Sequence, residues 1–365
     1  MRKLYVFLIL GACLLVAALA VACSGDEEKA GTPTAPASSP TAGADLPAAG
    51  SRTIGYVTIS GDPVQLRWWR VFEAAAKEVG WNAEFADAKG VPDDALRAMQ
   101  NYINTGADAI IAACVETPWA RPALDDAKAK GIPVIAIACP VSPPENAWTA
   151  VFAEDEAGLG DTLAKYVVQQ LEAAGATNVG VLYDTQFLSG KIRYDAFKAA
   201  IADTSIKVVA DFAPPLTDPT EGSRKAAADI LTAHSDLDAI LAIYDWMAPP
   251  SVSAIEAAGK QDQVTVYSFY ADHVNLPILL KEGSPMKAVV DGPVETASLA
   301  IMDELLDYFV NDDPIDASAF TSEKMEFVIF TKDNAPAFGD DYVGPIALDP
   351  LLAPWLEKWQ QEYSF

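Results

Sequence analysis

Short, wholly apolar runs alternate with longer amphipathic segments, and the alternation occurs twice along the chain. The runs at 53–59 (TIGYVTI), 109–113 (AIIAA), 132–138 (IPVIAIA), 239–244 (AILAIY) and 264–269 (VTVYSF) lack the in-out pattern of a half-exposed strand. They read as strands buried on both faces. Shorter strands fit 82–86, 179–183, 207–212, 286–290 and 326–330. Helical spacing fills the intervals at 64–79, 92–104, 118–130, 157–174, 191–202, 222–234, 250–258 and 294–309, with a short helix near 277–282. In the first, Trp69, Phe72, Ala76 and Val79 share one face, and Gly80 follows as a stop. Strands alternating with helices predict an α/β chain with parallel sheets covered on both sides. Two such sets predict two doubly wound lobes. Ligands on open parallel sheets bind beyond the strands' C-terminal ends, so two lobes facing across those ends would enclose a cleft.

The first 50 residues are of a different kind. Arg2 and Lys3 precede a nearly unbroken apolar stretch at 4–21, followed by Ala20-Val21-Ala22-Cys23 and Ser24-Gly25-Asp26. The basic-apolar-small order is that of a secretory leader. The last residues resemble the lipobox of bacterial lipoproteins, which implies lipidation at Cys23 after loss of 1–22. The segment 23–50 is rich in Ala, Pro, Thr, Ser and Gly and reads as a disordered tether.

The formal net charge of −26 disfavours nucleic acid, because phosphate binding needs a basic patch. No His/Cys cluster suggests a metal, and the only histidines are His234 and His273. Gly-x-Ser-x-Gly, His-Glu-x-x-His and Walker patterns are missing. The acid pairs Asp312-Asp313 and Asp340-Asp341 read as solvated loops. The expectation is no enzyme, no catalytic residue, no metal and no cofactor. Cys114 and Cys139 follow two strands expected to be neighbours, in a chain whose leader directs it to an oxidising compartment. A disulfide between them is predicted; two buried thiols are the alternative.

The segments Thr53-Ile54-Gly55-Tyr56-Val57, Thr105-Gly106-Ala107-Asp108-Ala109, Gly131-Ile132-Pro133-Val134-Ile135, Ala153-Glu154-Asp155, Arg193-Tyr194-Asp195-Ala196-Phe197 and Asp238-Ala239-Ile240 fall in a characteristic order. In that order they resemble type I periplasmic binding proteins of the ribose/galactose-receptor group that serves ABC importers. The resemblance runs over roughly 53–330. It implies a first lobe at 51–154 plus about 292–324 and a second at 155–291 plus about 325–365 including the tail. It also implies a monomer that captures a small molecule by hinge closure and hands it to an ABC permease. A ligand-sensing receptor for a membrane kinase or chemoreceptor would use the same fold.

Carried onto this chain, the resemblance makes Arg193 a ligand contact; a surface ion pair is the alternative. Tyr244, Asp245, Tyr270 and Asp291 follow strands at cleft positions, and Gln65 and Trp68 occupy the first loop and helix. Adjacent helical residues diverge by about 100°, so Trp68 faces the cleft if Trp69 faces the core; both in the core fits equally. Ala138-Cys139 stands where sugar receptors often carry Asp-Arg. The expected cleft is therefore rich in aromatics, with Tyr244, Tyr270 and Trp68 stacking and Arg193, Asp291 and Gln65 orienting a sugar or modified sugar, a nucleoside or an aromatic small molecule. The tail at 350–363 reads as a helix with Leu351, Leu352, Trp355, Leu356 and Trp359 on one face.

Overall fold

The apolar runs form strands and the amphipathic segments form the helices that cover them, in a computed structural model describing residues 50–318, 320, 325–336, 338, 339 and 342–363. The leader, Cys23 and most of the tether lie outside the described residues. One sheet holds β1 (Thr53–Thr58), β2 (Asn82–Asp87), β3 (Ala109–Ala113), β4 (Val134–Ala138) and β5 (Ala150–Ala153) in the order β2-β1-β3-β4-β5, all parallel. The other holds β6 (Asn178–Leu182), β7 (Lys207–Phe212), β8 (Ala239–Ala242), β9 (Thr265–Phe269), β10 (Met286–Asp291) and β11 (Val328–Phe330). Its order is β11-β10-β9-β8-β6-β7, with only β11 antiparallel. Central strands β3, β4 and β8 are buried throughout, whereas edge strands β2 and β7 stay partly exposed and carry Asn, Glu and Lys.

The helices are α1 (Pro63–Glu78), α2 (Pro92–Thr105), α3 (Thr117–Lys130), α4 (Glu156–Ala174), α5 (Leu188–Ile201), α6 (Pro219–Ala233), α7 (Ala248–Ala257), α8 (Asn275–Leu280), α9 (Glu295–Leu306) and α10 (Leu348–Glu362). Proline stands in the first turn of α1, α2, α3 and α6, where its missing N–H removes no intrahelical bond. Asp62 caps α1 by accepting from the Gln65 amide at 3.0 Å. Among the described residues, no helix is long and apolar enough to cross a membrane.

Strand β5 has no counterpart in the sequence reading; its four residues are too few to show a period. Helix α5 begins at Leu188 rather than 191, because a partner distant in sequence caps its start, as described below. The tail also departs from expectation. The sequence groups it with the second lobe, but α10 packs on the first-lobe side, against α1 and α9. Trp359 is fully buried there and donates its Nε1–H to Asp303 of α9 at 2.8 Å, beside a 2.7 Å Lys358–Asp303 ion pair. The chain therefore leaves β11 in the second sheet and returns to the first lobe, a further crossing after those at β5–α4, β10–α9 and before β11.

The five parallel strands of each sheet share one order, with switch points between β1 and β3 and between β6 and β8. Connections leave those neighbouring strands in opposite directions, which opens a crevice at their C-terminal ends.

Candidate ligand-binding site

The loops after β1, β3, β4, β6, β8 and β9 converge on one cavity between the two sheets' C-terminal ends. Its lining includes Asp62, Val64, Gln65, Trp68, Cys114, Cys139, Phe187, Ser189, Arg193, Tyr244, Asp245, Trp246 and Tyr270. The cavity's volume is only about 20 Å³, far below the roughly 300–1,000 Å³ common for small-molecule sites. Aromatic side chains fill most of the space between the loops. A sugar-sized ligand therefore requires the lobes to part and the walls to adjust. Three lining or strand-end residues, Cys114, Ala138 and Tyr270, hold φ of +52°, +68° and +62°. Left-handed backbone at non-glycine residues is strained, and such strain clusters at functional sites.

Six of the seven sequence-predicted ligand residues meet in this cavity: Gln65, Trp68, Arg193, Tyr244, Asp245 and Tyr270. Their surroundings are as follows. Trp68 lies edge-on to Tyr270 at 6.4 Å, while Trp69 packs on Tyr56 and Phe85 in the core. Tyr244 stacks on Trp246 with planes 8° apart, and its hydroxyl lies 2.9 Å from Ser189 Oγ. The Gln65 amide is bound within its own lobe, to Thr58, Ser60 and Asp62.

Arg193 is buried rather than a surface arginine, but its fork is already engaged. Nε donates to Glu156 Oε2 at 2.6 Å, Nη2 to Glu156 Oε1 at 3.0 Å and to the Tyr270 hydroxyl, and Nη1 to the Ile243 carbonyl at 3.1 Å. Its guanidinium carbon sits 4.6–5.1 Å from the ring centres of Phe269, Tyr270 and Tyr244. Burial acts to lower its pKa, and Glu156 more than offsets this, so the guanidinium stays charged.

Asp291 does not line the cavity. Its carboxylate accepts from Arg67 Nη1 at 2.8 Å and from the Ala271 amide at 2.9 Å, while Arg67 Nε donates to Glu295 at 2.5 Å. This buried triad sits where the chain passes from β10 to α9. Tail residue Gly344 covers it: a Cβ there would come within 2.3 Å of the Arg67 guanidinium. Only glycine lets the backbone approach so closely. Arg67 escapes sequence reasoning because an arginine within an amphipathic helix ordinarily reads as surface.

Two further hydrogen-bonded contacts join the lobes at the cavity. The Val64 amide, at the start of α1, donates to Asp245 Oδ2 at 3.0 Å. Glu116, after β3, accepts from the Leu188 amide at 3.1 Å and from the amide and hydroxyl of Ser142 at 2.9 and 2.5 Å. Leu188 is the first residue of α5, so a first-lobe carboxylate caps a second-lobe helix. Farther out, Gly90 meets Leu216 so tightly that a Cβ would lie 2.5 Å from the Leu216 carbonyl oxygen. No local pattern marks Glu116 or Gly90, because their partners are distant in sequence.

Cys114 and Cys139, at the ends of paired strands β3 and β4, are joined by a disulfide with Cα atoms 4.9 Å apart. It forms part of the cavity wall.

Residues 56–304 match the family model of the periplasmic binding protein domain, and the chain belongs to that family. Its members are solute-binding proteins of the extracytoplasmic space rather than enzymes, and the two lobes have the type I architecture. No curated protein sequence gives a significant match. Among solved structures, the chain superposes with TM-score 0.70 on a 5-methylthioribose transporter solute binding protein from Thermotoga lettingae. That protein is 19% identical, with 87% of this chain and 98% of that one covered. An ABC transporter solute binding protein from Bacillus halodurans with bound myo-inositol gives 0.68 at 19% identity, covering 78% and 96%. One from Actinobacillus succinogenes with bound D-allose gives 0.65 at 23% identity, covering 77% and 98%. Likeness at these identities establishes the fold.

Proposed function

We propose that this protein captures a sugar or sugar-like molecule in the interlobe cavity and delivers it to the permease of an ABC importer. The observation that carries the reading is the cavity's composition. Five aromatic residues (Trp68, Phe187, Tyr244, Trp246 and Tyr270) supply flat apolar faces, and two buried polar atoms in its lining residues, Asp245 Oδ1 and Trp68 Nε1, have no hydrogen-bond partner. Ring faces pack on the C–H face of a sugar, and unmet polar groups orient its hydroxyls. Buried polar atoms are normally paired, so this pair of orphans is consistent with a ligand that both donates and accepts. The solved proteins of like fold, with bound myo-inositol and D-allose, support the same class.

The lipobox-like leader supports anchoring at Cys23, with 23–50 as tether, 51–154 and about 292–324 as first lobe, and 155–291 with about 325–347 as second. On this reading the protein works as a monomer held at the membrane surface. Thermal melts of the purified protein against pentoses, hexoses, polyols and nucleosides test the ligand class. A ligand bound only to the native state at 100 times its Kd stabilises by about 2.7 kcal/mol. A shift with sugars or polyols that is lost in Trp246→Ala supports the reading. A shift with nucleosides alone replaces the ligand class.

A further inference from the structure

Resting on the carbohydrate reading of the cavity, we infer that the natural ligand carries a positive charge: a protonated amine on a sugar-sized scaffold, seated between Asp62 and Asp245.

The argument begins with the charges that face the cavity. Among the described residues, eight carboxyl side chains and only two arginines are buried. Neither arginine is free to serve a ligand's counter-charge. Arg67 is held by Asp291 and Glu295, and Arg193 is held bidentately by Glu156. Of the carboxylates lining the cavity, Asp62 comes from the first lobe and Asp245 from the second. Asp62 is half-buried at the mouth and meets only Ser60 and Gln65, both neutral. Asp245 is almost wholly buried, gives one oxygen to the Val64 amide, and leaves Oδ1 unpartnered.

Each lobe therefore sets a carboxylate at this cavity, and the one guanidinium that lines it, Arg193, is committed to Glu156. Like charges so placed oppose closure unless a proton or a bound cation intervenes. Burial, then the charge of Asp245, raises the pKa of Asp62; burial, then Asp272, raises that of Asp245. The remaining acids nearby add to the demand. Asp272 is tied to the amides of Val274 and Asn275, and Glu154 accepts from the Tyr270 hydroxyl through Oε2 while its Oε1 is unpartnered. Around the two aspartates stand Trp68, Tyr244 and Trp246. Aromatic faces attract a cation through their quadrupoles, most strongly when water is excluded. A neutral sugar would satisfy hydrogen bonds there but leave protons as the only counter-charge of these acids; a bound ammonium would replace such a proton with a fixed positive charge, and a sugar acid would add negative charge.

The test is titration calorimetry of the purified protein at pH 6.5, where sugar amines carry their proton, with two matched sets: galactose, galactosamine and galacturonate, then glucose, glucosamine and glucuronate. In the set that fits, the amine should bind about tenfold or more tighter than the neutral sugar, and the acid should show no measurable heat. In Asp245→Asn and in Asp62→Asn that ratio should shrink several-fold, whatever happens to absolute affinity. A neutral sugar or an acid binding as tightly as its amine overturns the charge inference and leaves the carbohydrate reading standing. A ratio unchanged in both variants overturns the assignment to these two aspartates. No heat from any of the six overturns the carbohydrate reading along with it.

Discussion

Asp245 shows how one residue's environment sets a measurable property of the whole protein. Burial and neighbouring Asp272 push its carboxyl up to about 8, and the backbone amides of Val64 and Trp246 only partly offset this. The folded state thus holds a proton that the unfolded chain releases near roughly pH 4. That contribution to stability is fully present below the unfolded pKa and is lost as pH rises through about 8. We predict that the melting temperature of the ligand-free protein falls as pH is raised from about 6 to about 8.5, and that Asp245→Asn flattens the fall. An equal slope in wild type and variant would show that other groups carry it. At this scale the sequence was partly legible. Strand-end placement located Tyr244, Asp245 and Tyr270, because the position after a buried parallel strand is a cleft position in any such fold. It did not locate Asp291, which ends β10 but faces Arg67.

Among elements, the contact between the β3 loop and α5 matters most for closure. The Leu188 amide is one of the donors left unmet at a helix start, and it receives Glu116 from the opposite lobe. Hydrogen bonds to a charged group contribute roughly 1.5–3 kcal/mol. Glu116→Ala should therefore weaken ligand binding by about tenfold or more, chiefly through faster release. Stopped-flow dissociation rates check this, and an unchanged rate would show that the lobes close without the contact. The same loop region carries the Cys114–Cys139 bridge. Peptide mapping of unreduced protein should recover the two cysteines in one joined species, and separate alkylated peptides would refute the pairing. Helix starts were the least legible part of the elements: α5 opens at a position set by a carboxylate more than 70 residues away in the chain.

For the whole molecule, the tail decides how the lobes are coupled. It runs from the second sheet back to the first lobe, lays Gly344 on Arg67 and seats Trp359 against α9. A large-to-small change at a fully buried tryptophan costs about 3–5 kcal/mol. Trp359→Ala should lower stability by that amount in denaturant unfolding; a loss below about 1 kcal/mol would mean that α10 docks weakly. The amphipathic face of α10 was readable from spacing alone. The lobe it joins was not, because an apolar stripe specifies burial without specifying the surface that buries it.

By itself the sequence determined the α/β class, the two strand-helix series, the placement of most elements and the strand ends where a ligand would sit. These follow from periodicity and from buried parallel strands, properties of residues near one another in the chain. Tertiary structure alone decided which charges neutralise each other. Arg193 pairs with Glu156, Arg67 with Asp291 and Glu295, and Asp62 and Asp245 line the cavity with no ion-pair partner of their own among the described residues. Electrostatic partners are chosen by distance in space, and the fold brings together carboxylates and guanidinium groups that lie as much as 228 residues apart in sequence.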